Sequence, residues 1–184
     1  RPTKPSRSIL SGALAMTMLD AALGYAERGF AVFPVHSVFN GRCTCGKPNC
    51  TSPGKHPLHT GGYRLATSDT DQIRAWWNVQ PFANVAIATG AVSGVFVLDV
   101  DVGAKGGLAS LRQLEDQYGP LDKSMSVRTG SGGWHFYFEM PERDFTISAG
   151  VLGQGLDIRA NRGHVVAPPS IHVSGNEYRW EEFQ

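Results

Sequence analysis

The chain has 184 residues, of which 41% are hydrophobic, and its formal net charge is +1. This length suits one well-packed core rather than two independent domains. The near-neutral charge excludes a uniformly basic nucleic-acid-binding protein, and no apolar run has the length that a membrane span needs.

The N-terminal part of the chain predicts a tail, a helix and a strand. Residues 1–7 are rich in proline and basic side chains, and we expect them to form a disordered tail. Apolar side chains then recur at helical spacing over residues 8–28, and Gly29 provides a stop signal. The apolar residues 30–35 predict a strand.

Residues 36–66 hold Gly, Pro, Cys and His without periodicity, which is too long for an unsupported loop. All three cysteines lie here, and with one histidine they follow the spacing C-x-C-x4-C-x5-H. Three thiolates and one imidazole are the right ligands for a closed, structural zinc site. The sequence therefore predicts a zinc-stapled loop at about residues 36–62, with these ligands: Cys43, Cys45, Cys50 and His56.

Two alternatives remain open for this loop. His36 and His59 are other candidates for the fourth zinc ligand, and three free thiols in a mobile loop would need no metal. Three basic residues, Arg42, Lys47 and Lys55, either touch DNA phosphates or form a solvated basic surface. Lys55 is also a candidate contact for a nucleotide phosphate.

Along the rest of the chain, predicted helices and strands alternate at first, and only strands are predicted toward the C-terminus. Ser68 is predicted to cap a helix at residues 69–79, and a second helix covers residues 107–119. Strands are predicted at residues 84–90 and 94–101, and five short strands with turns between them follow Ser124. This pattern favours an α/β or α+β unit around one main sheet.

Two acids, Asp99 and Asp101, stand at the end of an apolar strand. Side chains two residues apart in a strand share a face, so these carboxylates repel each other unless a divalent cation lies between them. The alternative is a solvated strand end whose acids start a turn.

A glycine-rich turn at residues 130–133 precedes a strand that carries His135. Glycines allow backbone N–H groups to approach an anion, and His135 is able to donate to a phosphate oxygen. The plainer alternative is a structural turn and a structural histidine.

Asp157 and Arg159 share one face of a later strand. They form either a local ion pair or parts of a site in which Asp157 completes a carboxylate cluster and Arg159 holds polyphosphate. Three carboxylates suit two Mg²⁺ or Mn²⁺ ions about 4 Å apart, which activate a 3′-hydroxyl and stabilise a leaving pyrophosphate.

An ordered series of motifs carries a family resemblance. In chain order these are "GFAVFPV", "GKHP", "NVAIATG", "SGVFVLDVD", "TGSGGWHFYF", "GLDIR" and "VVAPPSIHVSG". Over residues 21–180 the sequence resembles the bifunctional DNA primase/polymerase (prim-pol) family of plasmids, phages and integrated elements, within the archaeo-eukaryotic primase superfamily. The resemblance implies a catalytic half with a sheet like that of an RNA-recognition motif, packed against a second small α/β half.

The resemblance also implies roles for individual residues. Asp99, Asp101 and Asp157 would be the metal-binding acids of the polymerase site. A nucleotide contact would come from His135 and its turn, and Ser170 and His172 align with the family's pattern. With Arg159 and Lys55, which the residues themselves suggested as phosphate contacts, the expected nucleotide-binding set is Ser131, Gly132, Gly133, His135, Arg159, Ser170, His172 and Lys55. For Ser170 and His172 the plainer account is a strand-end turn.

We therefore predict a nucleotidyltransferase domain at residues 8–184 that uses nucleoside triphosphates, Mg²⁺ or Mn²⁺, and a primer on a single-stranded DNA template. We expect a cytoplasmic protein whose full-length form carries a C-terminal helical and helicase region. Two other functions stay open: a non-catalytic, zinc-stabilised nucleic-acid-binding module of a replication protein, and a two-metal nuclease.

Overall fold

The structure, a computed structural model, describes residues 16–142 and 145–183. Helix α1 (Met18–Glu27) begins after Thr17, whose hydroxyl accepts from the backbone N–H of Asp20 while the Asp20 carboxylate accepts from the backbone N–H of Thr17. This capping box fixes the helix start, which lies later than the predicted residue 8. The predicted tail and residues 8–15 lie outside the described residues.

Two further helices are close to their predicted positions. The N-cap of α2 (Thr70–Val79) is Asp69 rather than the predicted Ser68, because the Asp69 carboxylate accepts from two backbone N–H groups of the first turn. Helix α3 (Gly107–Tyr118) is followed by Gly119 as its C-cap, in agreement with the predicted stop. None of the helices in the described residues is both long and apolar enough to cross a membrane.

The strands form antiparallel pairs throughout. Within the described residues they are β1 (Val32–Val35), β2 (Val38–Phe39), β3 (Arg42–Cys43), β4 (Asn84–Ala88), β5 (Val95–Val100), β6 (Ser126–Arg128), β7 (Trp134–Glu139), β8 (Ser148–Ala149), β9 (Leu156–Arg159), β10 (His164–Ala167) and β11 (Arg179–Trp180). One sheet has the order β1-β4-β10, and a larger one has the order β11-β6-β7-β5-β9-β8.

The expectation of one main sheet is therefore wrong, although the mixed helix-and-sheet class is confirmed. Strands β4 and β5 follow each other in the chain but belong to different sheets. The turn between them contains Gly90 and Gly94, both with positive φ, and a Cβ at Gly90 would lie 2.1 Å from Asn161 Oδ1. This tight reversal moves β5 out of the first sheet.

Alternate residues of β5 face two separate cores. Val97 packs with Tyr137 in the core that the two sheets share with α1 and α2. Leu98 lies in a second core with Leu111 of α3. Because side chains alternate along a strand, Asp99 lies on the same face as Val97, toward the three-stranded sheet.

Residues 36–66 contain more regular structure than the sequence analysis predicted. Strands β2 and β3 form a hairpin that pairs Phe39 with Arg42 across Asn40 and Gly41. Both turn residues have positive φ, 49° and 73°, as a tight Asn-Gly hairpin turn requires. A 3₁₀ turn follows at Gly62–Leu65.

The side chain of Asn84 joins this segment to the three-stranded sheet. Asn84 is fully buried, and its Nδ2 donates to the carbonyls of Gly54 (2.9 Å) and Ile171 (2.8 Å). Its Oδ1 accepts from the Ile171 N–H at 3.0 Å. One amide therefore satisfies three backbone groups from two separate segments.

Replacing Asn84 with alanine is expected to lower the free energy of unfolding by about 2–4 kcal/mol, because it leaves buried backbone groups unpaired. Urea unfolding followed by circular dichroism measures the change. The matched control, Asn78→Ala on the exposed side of α2, should change the free energy of unfolding by less than about 0.5 kcal/mol. Equal unfolding midpoints for the two variants would contradict this role of Asn84.

Candidate functional site

Three neighbouring strands place two acids and a histidine in one row. The register of β7, β5 and β9 pairs Asp99 with His135 on one side and with Asp157 on the other. Direct cross-strand partners point to the same face of a sheet, with Cβ atoms roughly 4.5–5.5 Å apart. The sequence indicated each of the three residues separately, and the strand register brings them together.

Arg159 connects the two carboxylates of this row. Its Nη2 lies 2.9 Å from Asp157 Oδ2 and 3.3 Å from Asp99 Oδ2, and all three side chains are partly exposed. The guanidinium offsets the repulsion between the two neighbouring carboxylates. The ion pair that the sequence analysis gave as an alternative is thus part of the structure.

Asp101 lies beyond the end of β5, in the following turn, and not within the strand as predicted. Its backbone N–H donates to Gly155 O, and its carbonyl accepts from the Gly107 N–H, both at 2.9 Å. Lys105 Nζ lies 2.7 Å from Asp101 Oδ2, and this contact raises the pKa of Lys105. Asp101 therefore also has a cationic partner.

The three acids lie at one end of β5 and β9, and each contacts a cation. In the part of the chain that the structure describes, the three acids do not form a group close enough to hold a metal ion. This spacing is reasonable because Arg159 and Lys105 already neutralise the carboxylates. Three carboxylates still fit the preference of Mg²⁺ and Mn²⁺ for hard oxygen ligands, and such an ion would compete with both cations.

His135 is buried with one ring nitrogen unpaired. Only 6% of the residue is exposed, and Nδ1 has no hydrogen-bond partner among the described residues. Its Nε2 lies 3.7 Å from Asp99 Oδ1. Burial lowers the pKa of His135, and Asp99 acts in the opposite direction. Buried polar atoms are normally paired, so this nitrogen is an exception within the described residues.

A cavity of about 290 Å³ lies between the two sheets at this row. Its lining comes from the larger sheet, from β10, from the cysteine-containing loop and from a C-terminal tyrosine, and includes Asp99, His135, Arg159, His164, Val165, Val166, Ser52, Lys55, His56, Pro57 and Tyr178. This volume is at the lower end of the range for small-molecule sites. We call it the acid-row cavity.

Lys55 is the cation that the cysteine-containing loop contributes to the acid-row cavity. Burial lowers the pKa of Lys55, whereas Asp99 and Asp101 raise it. Lys55 forms no ion pair in the described residues, and its carbonyl accepts from His164 Nε2 at 3.1 Å. A half-buried ammonium without a paired carboxylate is suited to an anionic ligand.

The glycine-rich turn packs beside the end of β5. A Cβ at Gly133 would lie 2.5 Å from Val100 O, so only glycine allows this close approach. Gly132 lines a different cavity, and the exposed Ser131 has its Oγ 3.0 Å from Thr129 Oγ1. The structure does not bring Ser131 and Gly132 into the acid-row cavity.

Ser170 and His172 also lie outside this lining. Ser170 is fully buried, and its hydroxyl bonds both the N–H and the carbonyl of Val85. His172 packs edge-on against Tyr178, with its Nδ1 3.0 Å from Ser174 Oγ. The strand-end turn considered as an alternative accounts for Ser170.

The sequence analysis missed three residues of this region: Lys105, His164 and Tyr178. The ring of Tyr178 lies 6.0 Å from that of His135, and burial and Asp99 raise the pKa of Tyr178. His164 is the first residue of an apolar run whose pattern is typical of an ordinary strand. Only the spacing of Lys105, four residues after Asp101, gave a signal for an ion pair.

The predicted zinc ligands lie together. The ligand atoms of Cys43, Cys45, Cys50 and His56 all lie within 4.8 Å of one another, with Cys43 Sγ 3.3 Å from His56 Nε2. Ligand atoms around a tetrahedral Zn²⁺ are about 3.5–3.8 Å apart, given Zn–S and Zn–N bonds of about 2.3 and 2.0 Å. The donor set and its spacing therefore fit a structural zinc ion.

The two other candidate histidines lie outside this group. The His36 ring packs 4.4 Å from that of His56, but its Nδ1 contacts Thr44 Oγ1, and the ring of His59 stacks on Trp76. Within the group, the backbone N–H of Lys47 lowers the pKa of the Cys45 thiol to about 7, whereas burial raises the pKa of Cys50. A thiol with a lowered pKa more readily provides the thiolate that zinc binds.

The fold and the site define a mixed helix-and-sheet protein with a cavity lined by Asp99, His135 and Lys55 beside a Cys₃His group. The family described as bifunctional DNA primase/polymerase, N-terminal (Prim-Pol), matches residues 22–183, and the chain belongs to this family. A search of curated proteins found no significant match. Family membership supports DNA primase/polymerase activity in general, and thus nucleotidyl transfer with nucleotides and DNA as substrates.

The zinc site predicts one bound ion per chain. Cys45→Ser is expected to lose the metal and to lower the melting temperature, because the loop then lacks the ion that orders it. Elemental analysis of the purified protein measures the zinc content. Ser52→Ala, in the same loop but outside the ligand group, should retain one equivalent, and a zinc-free wild-type protein that melts at the same temperature would contradict the assignment.

Proposed function

We propose that this domain catalyses template-directed nucleotidyl transfer from a nucleoside triphosphate to the 3′-hydroxyl of a primer on single-stranded DNA. The observation that carries the proposal is the row of Asp99, His135 and Asp157, because Asp99 and His135 line a cavity with Lys55 and Arg159, and Asp157 lies beside that lining as the cross-strand partner of Asp99. Carboxylates that are able to bind metal cations therefore lie beside groups that are able to bind the anionic triphosphate, as a triphosphate–metal complex requires.

Asp99, Asp101 and Asp157 hold the divalent cations in this proposal. Two bound Mg²⁺ or Mn²⁺ ions would supply Lewis-acid activation of the 3′-hydroxyl and neutralisation of the triphosphate. By holding positive charge at fixed points, the carboxylates position the primer 3′-hydroxyl and the triphosphate relative to each other. Arg159 and Lys105 keep the acids neutralised before the substrate arrives.

The groups that bind the triphosphate are His135, Lys55 and Arg159. His135, which lines the cavity, contacts a phosphate oxygen, and Lys55 gains a counter-charge. Arg159, once displaced from the carboxylates, offers a planar set of donors to phosphate oxygens. Gly133 supports the site indirectly, because its close contact with Val100 fixes the end of β5.

The remaining parts of the proposal are inferred from the family to which the chain belongs. Residues 8–184 form one catalytic domain of the archaeo-eukaryotic primase type, in which the six-stranded sheet is the catalytic half similar to an RNA-recognition motif. The zinc loop at about residues 36–62 belongs to the same domain. We further propose a cytoplasmic protein of plasmid, phage or other mobile-element origin, with a helical and helicase region in its full-length form.

Removal of either acid at the end of β5 tests the catalytic assignment. Asp99→Asn and Asp101→Asn are expected to lower dNTP incorporation on a primed template at least about a hundredfold, because losing a cation ligand removes several kcal/mol of transition-state stabilisation. A primer-extension gel with Mn²⁺ measures this rate. The exposed Asp116→Asn on α3 is the matched control and should retain the wild-type rate.

The same gel separates the competing functions. Primer shortening in place of extension would assign a two-metal nuclease. Oligonucleotide binding with neither extension nor shortening would assign a non-catalytic module. Wild-type incorporation by either acid variant would contradict the site.

The Lys55 assignment predicts a link between zinc and nucleotide binding. Lys55→Met is expected to weaken dNTP binding about tenfold, the effect of losing one charged hydrogen bond. Removing zinc should weaken binding similarly, because the zinc-site residue His56 directly follows Lys55. Calorimetry with dNTP and Ca²⁺ measures the affinity without turnover.

Lys47→Met is the control for charge, since Lys47 is exposed on the same loop. It should bind dNTP with the wild-type affinity. If Lys47→Met and Lys55→Met weakened binding equally, the effect would be one of overall charge, and Lys55 would not be a specific contact.

A further inference from the structure

A second cavity, of about 340 Å³, borders the same zinc loop and is separate from the acid-row cavity. Apolar residues form much of its lining, among them Val38, Leu58 and Ile171. Two aromatic residues, Phe39 and Phe82, also belong to the lining. We call this cavity the aromatic groove.

Both aromatic side chains of the groove are largely exposed to solvent. Phe39 is 73% exposed near the tip of the β2–β3 hairpin, and Phe82 is 81% exposed in the turn between α2 and β4. Single exposed apolar residues are ordinary on a protein surface, whereas two aromatic rings on one groove form a patch that suggests a ligand. Neither ring contributes to the buried cores.

Part of the groove lining, including Phe39, comes from the most basic segment of the chain. No acidic residue occurs between Glu27 and Asp69, whereas the segment carries five basic ones, Arg28, Arg42, Lys47, Lys55 and Arg64, in a chain with a net charge of only +1. Arg42 is the cross-strand partner of Phe39, and both Arg42 and Lys47 are exposed. An exposed ring and a guanidinium therefore stand side by side at the groove.

The aromatic groove adjoins the acid-row cavity. Asn84 and Ile171 line the groove, and the Asn84 amide also bonds Gly54 O. The next residue, Lys55, lines the acid-row cavity. The zinc loop therefore lines both cavities, and its consecutive residues Pro57 and Leu58 belong to the acid-row cavity and to the groove, respectively.

We propose that the aromatic groove binds single-stranded DNA, with bases stacked on Phe39 and Phe82 and a backbone phosphate paired with Arg42. Flat rings accept any base, and cations without neighbouring carboxylates attract phosphates, so the binding is tolerant of sequence. The inference rests on the proposed function, since a template strand must reach the nucleotide cavity. The zinc loop then contacts both substrates, the strand on one side and the nucleotide on the other.

The experiment measures binding of a fluorescein-labelled oligothymidylate of about 20 nucleotides by anisotropy. Phe39→Ala and Phe82→Ala are each expected to weaken binding about tenfold, the lower end of what one base–aromatic stack contributes. Phe39→Trp should retain binding because it keeps a stacking surface, whereas Phe39→Leu should not. Arg42→Ala should reduce the slope of log affinity against log salt by about 0.7, as expected for one lost phosphate contact.

Matched controls lie outside the groove on α3. Tyr118, 76% exposed, and the exposed Arg112 should tolerate replacement by alanine without loss of oligonucleotide binding. Wild-type binding by the double variant Phe39→Ala/Phe82→Ala would overturn the inference. So would altered self-association of that variant with unchanged oligonucleotide binding, which would assign the groove to a protein partner.

A second readout separates this inference from the proposed function. The groove variants should bind dNTP in calorimetry with the wild-type affinity, because Phe39 and Phe82 do not line the acid-row cavity. If the wild-type protein neither binds dNTP nor extends primers, the proposed function fails. If it does both while the groove variants bind the oligonucleotide normally, only the inference about the groove fails.

Discussion

The register between β5 and its two neighbours is the constraint on which the site depends. A slip of one residue in a strand moves every side chain to the other face, so Asp157 would leave the face of Asp99 and enter the core beside α3. Close backbone contacts hold this register. A Cβ at Gly107 would lie 2.2 Å from Asp101 O, and one at Gly155 would lie 2.5 Å from Lys105 O. These glycines allow the turns at the end of β5 to pack tightly, and the acids take their positions from those turns.

The two-sheet architecture explains why a cavity exists at this register. The face of the larger sheet that carries Asp99 is turned toward the three-stranded sheet, and the apolar part of that face is closed by residues such as Val97 and Tyr137. Where polar residues replace apolar ones, the sheets leave a cavity instead of a core. The cysteine-containing loop forms one wall, in which Asn84 joins it to the smaller sheet and His56 belongs to the Cys₃His group. An ordered conformation of this loop therefore affects which ligands the cavity is able to bind.

The sequence predicted the elements and the candidate residues better than their arrangement. Periodicity indicated the three helices and most strands, and residue type and spacing indicated the Cys₃His group and the three acids. The division into two sheets did not follow from the local pattern, because strand pairing depends on long-range contacts, and only the family resemblance implied two packed halves. The β2–β3 hairpin had a readable signal in Asn40 and Gly41. The ion pairs of Arg159 with Asp99 and of Lys105 with Asp101, and the burial of Ser170, follow from the fold and had weak or no signals.

The central claim is that a nucleoside triphosphate and divalent cations bind together at the row of Asp99, His135 and Asp157. Its most direct test is a crystal structure with Mn²⁺ and a non-hydrolysable dNTP analogue, in which anomalous scattering locates the metal. The account predicts manganese bound by the carboxylates of Asp99, Asp101 and Asp157, Arg159 displaced from between the acids, and the triphosphate in contact with His135 and Lys55. A nucleotide bound elsewhere, with Arg159 still joining Asp99 to Asp157 and no manganese beside them, would contradict it.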